Sequence, residues 1–138
     1  MKISELMTKN PNIISGNTTI LEAARKMKQF NCGVFPIGTE YDITGIITDR
    51  DIVTRVLAEK RDPSKTVVEE VMTLQPVFCM GDDPIEEAFK KMEKNNIRRI
   101  LVIDKNKKLS GILSLSDVFK RNANHEVLEE LFKEMSEE

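Results

Sequence analysis

The sequence is poor in the residues that small proteins use as staples and for metal chemistry. Among 138 residues there are two cysteines, Cys32 and Cys79, and one histidine, His125. Two thiols make neither a disulfide framework nor a metal cluster, and in a reducing compartment both are expected to be small buried hydrophobes. His125 stands in the polar tail and is expected to face solvent. There is no Ser–His or Cys–His pairing, no metal-ligand cluster and no glycine-rich phosphate loop, so the chain does not read as an enzyme. An excess of one charge is missing too: 21 Lys and Arg stand against 23 Asp and Glu, for a net charge of -2. With no basic excess to neutralise a row of phosphates, nucleic acid is not an expected partner. No apolar run approaches the roughly 20 residues of a membrane-spanning helix, so no membrane partner is expected. The opening MKISELMTKNP has no long apolar core and does not read as a signal peptide, which makes the cytoplasm the expected compartment.

What is present is an ordinary globular composition, 40% apolar and 32% charged, in a chain long enough for one domain with its own core. The chain is also written twice. At an offset of 65, Glu5, Met7, Thr8, Pro11, Gly16, Ile20, Glu22, Ala23, Lys26, Met27 and Asn31 meet identical residues from Glu70 to Asn96. One extra residue in the second copy moves the offset to 66, where Gly45, Ile46, Asp51 and Arg55 meet Gly111, Ile112, Asp117 and Arg121. Most other pairs exchange like for like, such as Thr44 with Ser110 and Thr48 with Ser114.

Each copy repeats one grammar. A short helical turn (ISELM, VVEEVM) leads through a proline to a short apolar strand (NIIS, VFCM). A helix follows, started by Thr18 in copy one. In copy two, Asp83 is the expected cap, with Pro84 in the first helical position and Glu86 three past the cap. Its stripe is Ile20, Ala23, Ala24 and Met27, or Ile85, Ala88, Phe89 and Met92, at i, i+3, i+4, i+7. Two strands joined by a polar turn come next (VFPIG and ITGIIT; RRILVID and KLSGILS), and a second helix closes the unit. The predicted fold is α/β (α+β), a tandem β-α-β-β-α repeat with pseudo-two-fold symmetry. The divisions are 1–60, a linker at 61–67 opening with RDPSKT, 68–123, and an amphipathic helix at 124–138. A unit of about sixty residues is marginal alone, so the two copies are expected to form one domain with a cleft where they meet.

The tandem unit, with G-h-h-T/S-x-x-D-h at its last strand-to-helix junction (GIITDRDI and GILSLSDV), resembles a cystathionine β-synthase (CBS) domain pair, or Bateman module. The Met-Thr before each opening proline and RRILVID before the second turn carry the same resemblance, which covers residues 3 to about 122. The layout is similar to stand-alone bacterial and archaeal CBS-pair proteins, including hypoxic response proteins that share TDRDI. The resemblance implies a regulatory, energy-sensing module. It would bind an adenosine-containing ligand (AMP, ADP, ATP, NAD or S-adenosylmethionine) in the cleft between the motifs and signal by conformational change. No cofactor is obligatory. It also implies a homodimer, with an effector protein as a further partner since no effector domain is attached. The other reading is a structural or stress-response homodimer whose sites are vestigial.

The motif chemistry fits that expectation. Thr48 caps a helix whose first turn suits a phosphate, and the Asp51 carboxylate accepts both hydroxyls of a ribose. Ser114 and Asp117 repeat the pair. Gly45 lets another backbone or a ligand come close. The same spacing is also a plain capping box, and the two roles are compatible. Arg98 and Arg99 beside the second motif, and Arg50 inside the first, are candidate phosphate partners. Ile14, Val34, Pro36 and Phe78 are candidate walls for an adenine, or simply core. In the tail, Val127, Leu128, Leu131, Phe132 and Met135 recur at helical spacing and are expected to pack on the pair or on a second chain.

Overall fold

The computed structural model describes residues 1–74 and 77–120, with Glu129 and Lys133. The helix expected at 124–138, those two residues apart, and His125 fall outside the described residues. In chain order the elements are β1 (Thr8–Lys9), α1 (Ile20–Phe30), β2 (Val34–Thr39), β3 (Asp42–Thr48), α2 (Asp49–Ile52), β4 (Thr73–Leu74), β5 (Phe78–Met80), α3 (Ile85–Asn95), β6 (Arg99–Ile103), β7 (Leu109–Ser114) and α4 (Leu115–Lys120). A 3-10 turn precedes β1 and another precedes β4, at Ile3–Glu5 and Val68–Glu70, and α2 runs on as a π-helical turn, Val53–Leu57. The mixed α+β character and the repeat are as the sequence predicts.

Two compact units divide the chain: Asn12–Pro76, and Met1–Pro11 with Val77–Glu138. These units cut across the written repeats, because the first segment of each copy is built into the other copy's sheet. In the first unit, β2 and β3 form an antiparallel hairpin and β4 adds at the edge, with Gly45 opposite Leu74 and Ile46 opposite Thr73. In the second unit the order is β1-β7-β6-β5, with Gly111 opposite Lys9 and Ile112 opposite Thr8. The 3-10 turns are exchanged in step: Val68 and Glu69 donate their N–H groups to Thr18 and Gly16, as Ile3 and Ser4 donate theirs to Asp83 and Gly81.

The exchange explains the repeated glycines. A Cβ on Gly45 would lie 2.6 Å from Met72 Sδ and 2.7 Å from the Thr73 carbonyl oxygen, and one on Gly111 would lie 2.5 Å from Met7 Sδ and 2.8 Å from that of Thr8. Both positions are bare so that the exchanged backbone can lie against the strand. The repeated asparagines also have a backbone reason. Asn31 and Asn96 end α1 and α3 at φ 51 and φ 53, the left-handed conformation asparagine tolerates well.

Each unit has its own core. Ile20, Ala23 and Met27 of α1 pack with Phe35, Ile37 and Ile47. Ile85, Ala88, Phe89 and Met92 of α3 pack with Ile100, Val102 and Leu113. Three sequence expectations shift here. Ala24 is only half-buried, whereas its counterpart Phe89 is buried. Thr19, not Thr18, is the N-cap of α1, its hydroxyl accepting from Glu22 N–H at 3.2 Å, while Thr18 is buried behind it. Pro84, not Asp83, occupies the cap position of α3; Asp83 turns back and accepts from Met80 N–H at 2.9 Å. Proline's extended ψ of 149° suits a cap, so the motif slips by one residue.

Of the cysteines, Cys79 is buried and burial pushes its thiol pKa up, while Cys32 is half-buried, its Sγ 3.8 Å from the Val34 carbonyl oxygen. Among the described residues no helix is long and apolar enough to cross a membrane.

Candidate functional site

Strand alternation sorts each hairpin into two faces. In the first unit Phe35, Ile37, Gly45 and Ile47 turn toward α1, which leaves Val34, Pro36, Ile46 and Thr48 on the other face. Val34 stands directly opposite Thr48. In the second unit Ile100, Val102 and Leu113 face α3, so Arg99, Leu101, Ile112 and Ser114 share the opposite face, with Arg99 across from Ser114. Phe78 of β5 joins that face beside Leu101. Arg99 and Phe78 are half-buried and Arg98 is exposed.

The strand-to-helix junctions lie at the end of these faces. Thr48 is extended, at φ -120 and ψ 162, and caps α2. Its hydroxyl accepts from Asp51 N–H at 3.2 Å, and its own N–H donates to Asp51 Oδ2 at 3.0 Å. Ser114 and Asp117 form the same box, at 3.1 and 3.2 Å. The capping box read from the sequence is therefore real in both copies. Each box uses one carboxylate oxygen, Oδ2, and leaves Oδ1 outside it. Asp51 is only 8% exposed, and a carboxylate at that depth needs polar partners.

The surroundings of the two boxes differ. Asp51 Oδ1 lies 3.8 Å from Arg55 Nε, and Arg55 Nη1 donates to the carbonyls of Val71 at 2.9 Å and Met72 at 3.2 Å. Asp49 Oδ1 accepts from Arg50 N–H at 2.9 Å, and its carboxylate lies over Gly33, where a Cβ would be 2.8 Å from Oδ2. Arg50 is exposed. In the second copy Leu115 replaces Asp49 and Arg98 replaces Gly33, while Thr8 of β1 donates its hydroxyl to Asp117 Oδ2 at 3.4 Å and Ser116 Oγ lies 2.9 Å from Ser114 Oγ.

Among the candidate walls, Val34, Pro36 and Phe78 lie on the faces that end at the motifs. Ile14 does not share this placement: it is 4% exposed, bridges to Ile37 and belongs to the α1 core. At the offset of 65, Ile14 is the counterpart of core Cys79, and Phe78 matches the half-buried Ile13. Sequence reasoning missed Ile13, Arg55 and Thr8. The repeat register was the signal for Ile13, and the Arg55–Arg121 identity pointed at Arg55. Among the described residues no group of three or more His, Cys, Asp or Glu is placed to hold a metal.

Both junctions lie inside segments that match a known family. The CBS domain profile matches residues 3–58 and 68–124. The chain belongs to the CBS domain family. The CBS domain-containing protein YhcV of Bacillus subtilis is 36% identical over 124 residues, which cover 90% of this chain and 87% of YhcV. Among solved structures, the CBS domain protein PAE2072 from Pyrobaculum aerophilum, complexed with AMP, superposes with a TM-score of 0.82 at 26% identity, covering 96% of this chain and 99% of that one. The CBS domain pair of MJ0100, in complex with 5'-methylthioadenosine and S-adenosyl-L-methionine, gives 0.76 at 30% identity, covering 88% and 94%. The two matched segments make the chain a tandem CBS pair.

Proposed function

We propose that this CBS pair is a regulatory module that binds an adenosine-containing ligand at its two Thr/Ser-x-x-Asp junctions. The observation that carries the reading is the paired capping box, which holds Asp51 and Asp117 rigidly by one oxygen and leaves the other to accept ribose hydroxyls. Thr48 and Ser114 support the ribose or the adjoining phosphate. Val34 and Pro36 are the base walls at the first junction, and Phe78 is the base wall at the second. Arg99, on the face of Ser114, and Arg98 beside it supply the cations for a phosphate; Arg50, hemmed by Asp49 and Asp51, supplies less. The AMP complex of PAE2072 and the S-adenosyl-L-methionine complex of MJ0100 support this ligand class. Occupancy shifts a conformational equilibrium that a homodimer partner or an effector protein reads.

A thermal-shift screen with AMP, ADP, ATP, NAD and S-adenosylmethionine tests the reading. A ligand at a hundred times its dissociation constant adds about 2.7 kcal/mol of stability. A clear upward shift with at least one is expected. No shift with any would favour the second reading, a homodimer with vestigial sites, to which the complete closure of both capping boxes lends itself.

A further inference from the structure

We infer that Arg55 is a positioning residue that ties the motif aspartate Asp51 to the exchanged strap Val71–Leu74. The inference rests on the ribose reading of Asp51 for its functional meaning, though not for the link itself. Arg55 follows Asp51 by one helical turn, which brings Nε to 3.8 Å from Asp51 Oδ1, the oxygen outside the capping box. The other side of the same guanidinium donates to two successive carbonyls, Val71 at 2.9 Å and Met72 at 3.2 Å. A planar fork with several donors can hold both sets at once; a lysine ammonium cannot span them in the same geometry.

The strap is not a passive surface. Val71 and Met72 end the 3-10 turn and lead straight into β4, which lies on Gly45 and Ile46 of β3. Met72 also covers bare Gly45, three residues before Thr48 on β3. The strap is therefore held from two sides, by the β3 register and by Arg55. In the second copy Thr8 of the exchanged strand β1 donates directly to Asp117, while Arg121, the counterpart of Arg55, lies outside the described residues. In both units the motif aspartate is fastened to the segment contributed by the other copy.

Arg55 thus sets where Asp51 Oδ1 points, so a ligand hydroxyl that engages that oxygen meets an acceptor already oriented by the guanidinium that holds the strap. Its role is to pre-order the acceptor and to pass occupancy to Val71–Leu74, without touching the ligand.

The test is amide hydrogen exchange of Met72–Leu74 in the unliganded full chain, for wild type, Asp51→Asn, Arg55→Met and the double variant. Asp51→Asn keeps a cap acceptor while removing the charge. It is expected to speed strap exchange when Arg55 is present and to add nothing in the Arg55→Met background. Arg55→Lys, which keeps charge but not the fork, is expected to behave as Arg55→Met. A second arm titrates AMP calorimetrically into Asp117→Ala with and without Arg55→Met. Binding weaker by up to about fivefold is expected, the scale of a half-exposed ion pair. Equal effects of Asp51→Asn with and without Arg55, or a strap indifferent to Arg55→Met, would overturn the proposal. Non-additive exchange in a protein that binds no adenine ligand would uphold the link and sink the ribose reading instead.

Discussion

At Thr48 the chain enters its helix through Asp49, Arg50 and Asp51, with Asp49 lying over a bare Gly33. At Ser114 it enters through Leu115, Ser116 and Asp117, with Arg98 and Arg99 at the facing strand end. The backbone is the same device twice, down to box distances that agree within 0.2 Å (3.0 against 3.2 and 3.2 against 3.1). The charge placed around it differs: the first junction mixes carboxylates with Arg50 and Arg55, whereas Arg98 and Arg99 stand beside the second, where Leu115 replaces Asp49. Duplication has kept what holds an aspartate in place and let the rest vary. A tight capping box and a bare glycine under an exchanged strand are demanded by geometry. Position 33 or 98 and position 49 or 115 are not, so they are where the two junctions differ.

The comparison is broken hardest in the cores. Met27 and Met92 occupy equivalent buried places, 8% and 3% exposed. Met92→Ala is expected to cost about 2–5 kcal/mol, and Met27→Ala, at the slightly more open place, the lower end of that range. Denaturant unfolding measures both, and a loss below about half a kcal/mol at both would contradict equivalent cores. Next come the bare glycines. Gly45→Ala and Gly111→Ala each force a methyl against a carbonyl of the exchanged strand, and about 1–3 kcal/mol is expected at each. If the copies are true equivalents, the two losses should match, and proteolysis should then open near β4 and β1 respectively.

Smaller effects sharpen the asymmetry. Thr19→Ala removes the side-chain cap of α1 and should cost about 0.5–2 kcal/mol. Pro84 offers α3 no side-chain bond to lose, so no change there should exceed a few tenths beyond proline's own backbone effect. Smallest is the linker turn, where Ser64 donates through Oγ at 2.7 Å and N–H at 2.9 Å to Asp62 and holds its carboxyl pKa below the ordinary value. A lowered folded pKa contributes stability that is present above the ordinary carboxylate pKa and lost as pH falls through the lowered one. Ser64→Ala should raise the Asp62 titration toward the ordinary value by NMR, with almost no change in melting at neutral pH.

Much of this was legible in the sequence. Helix stripes at i, i+3, i+4, i+7 and the T-x-x-D box are local, and local spacing fixes them. The cap of α1 slipped by one because Thr18 and Thr19 are chemically alike and only burial separates them. The exchange of β1 and β4 was not legible, since a two-residue strand carries no periodicity and its partner lies far along the chain. Yet it left a trace in the paired glycines, Gly45 and Gly111. Ile14 misled because an apolar residue beside a motif reads the same whether it faces a core or a ligand; its match to Cys79 across the repeat would have decided it.

The central claim, that both aspartates hold ligand and that the arginine-flanked junction favours phosphate, is met most directly by AMP calorimetry. The proteins are wild type, Asp51→Ala, Asp117→Ala and the double variant. Asp117→Ala is expected to weaken AMP binding by roughly ten- to a hundredfold, the loss of about 1.5–3 kcal/mol from a charge-assisted bond, and Asp51→Ala by less. The double variant should bind least of all, with its fold kept by the Thr48 and Ser114 hydroxyls. A double variant that binds AMP as wild type does would leave the aspartates as caps alone and contradict the assignment.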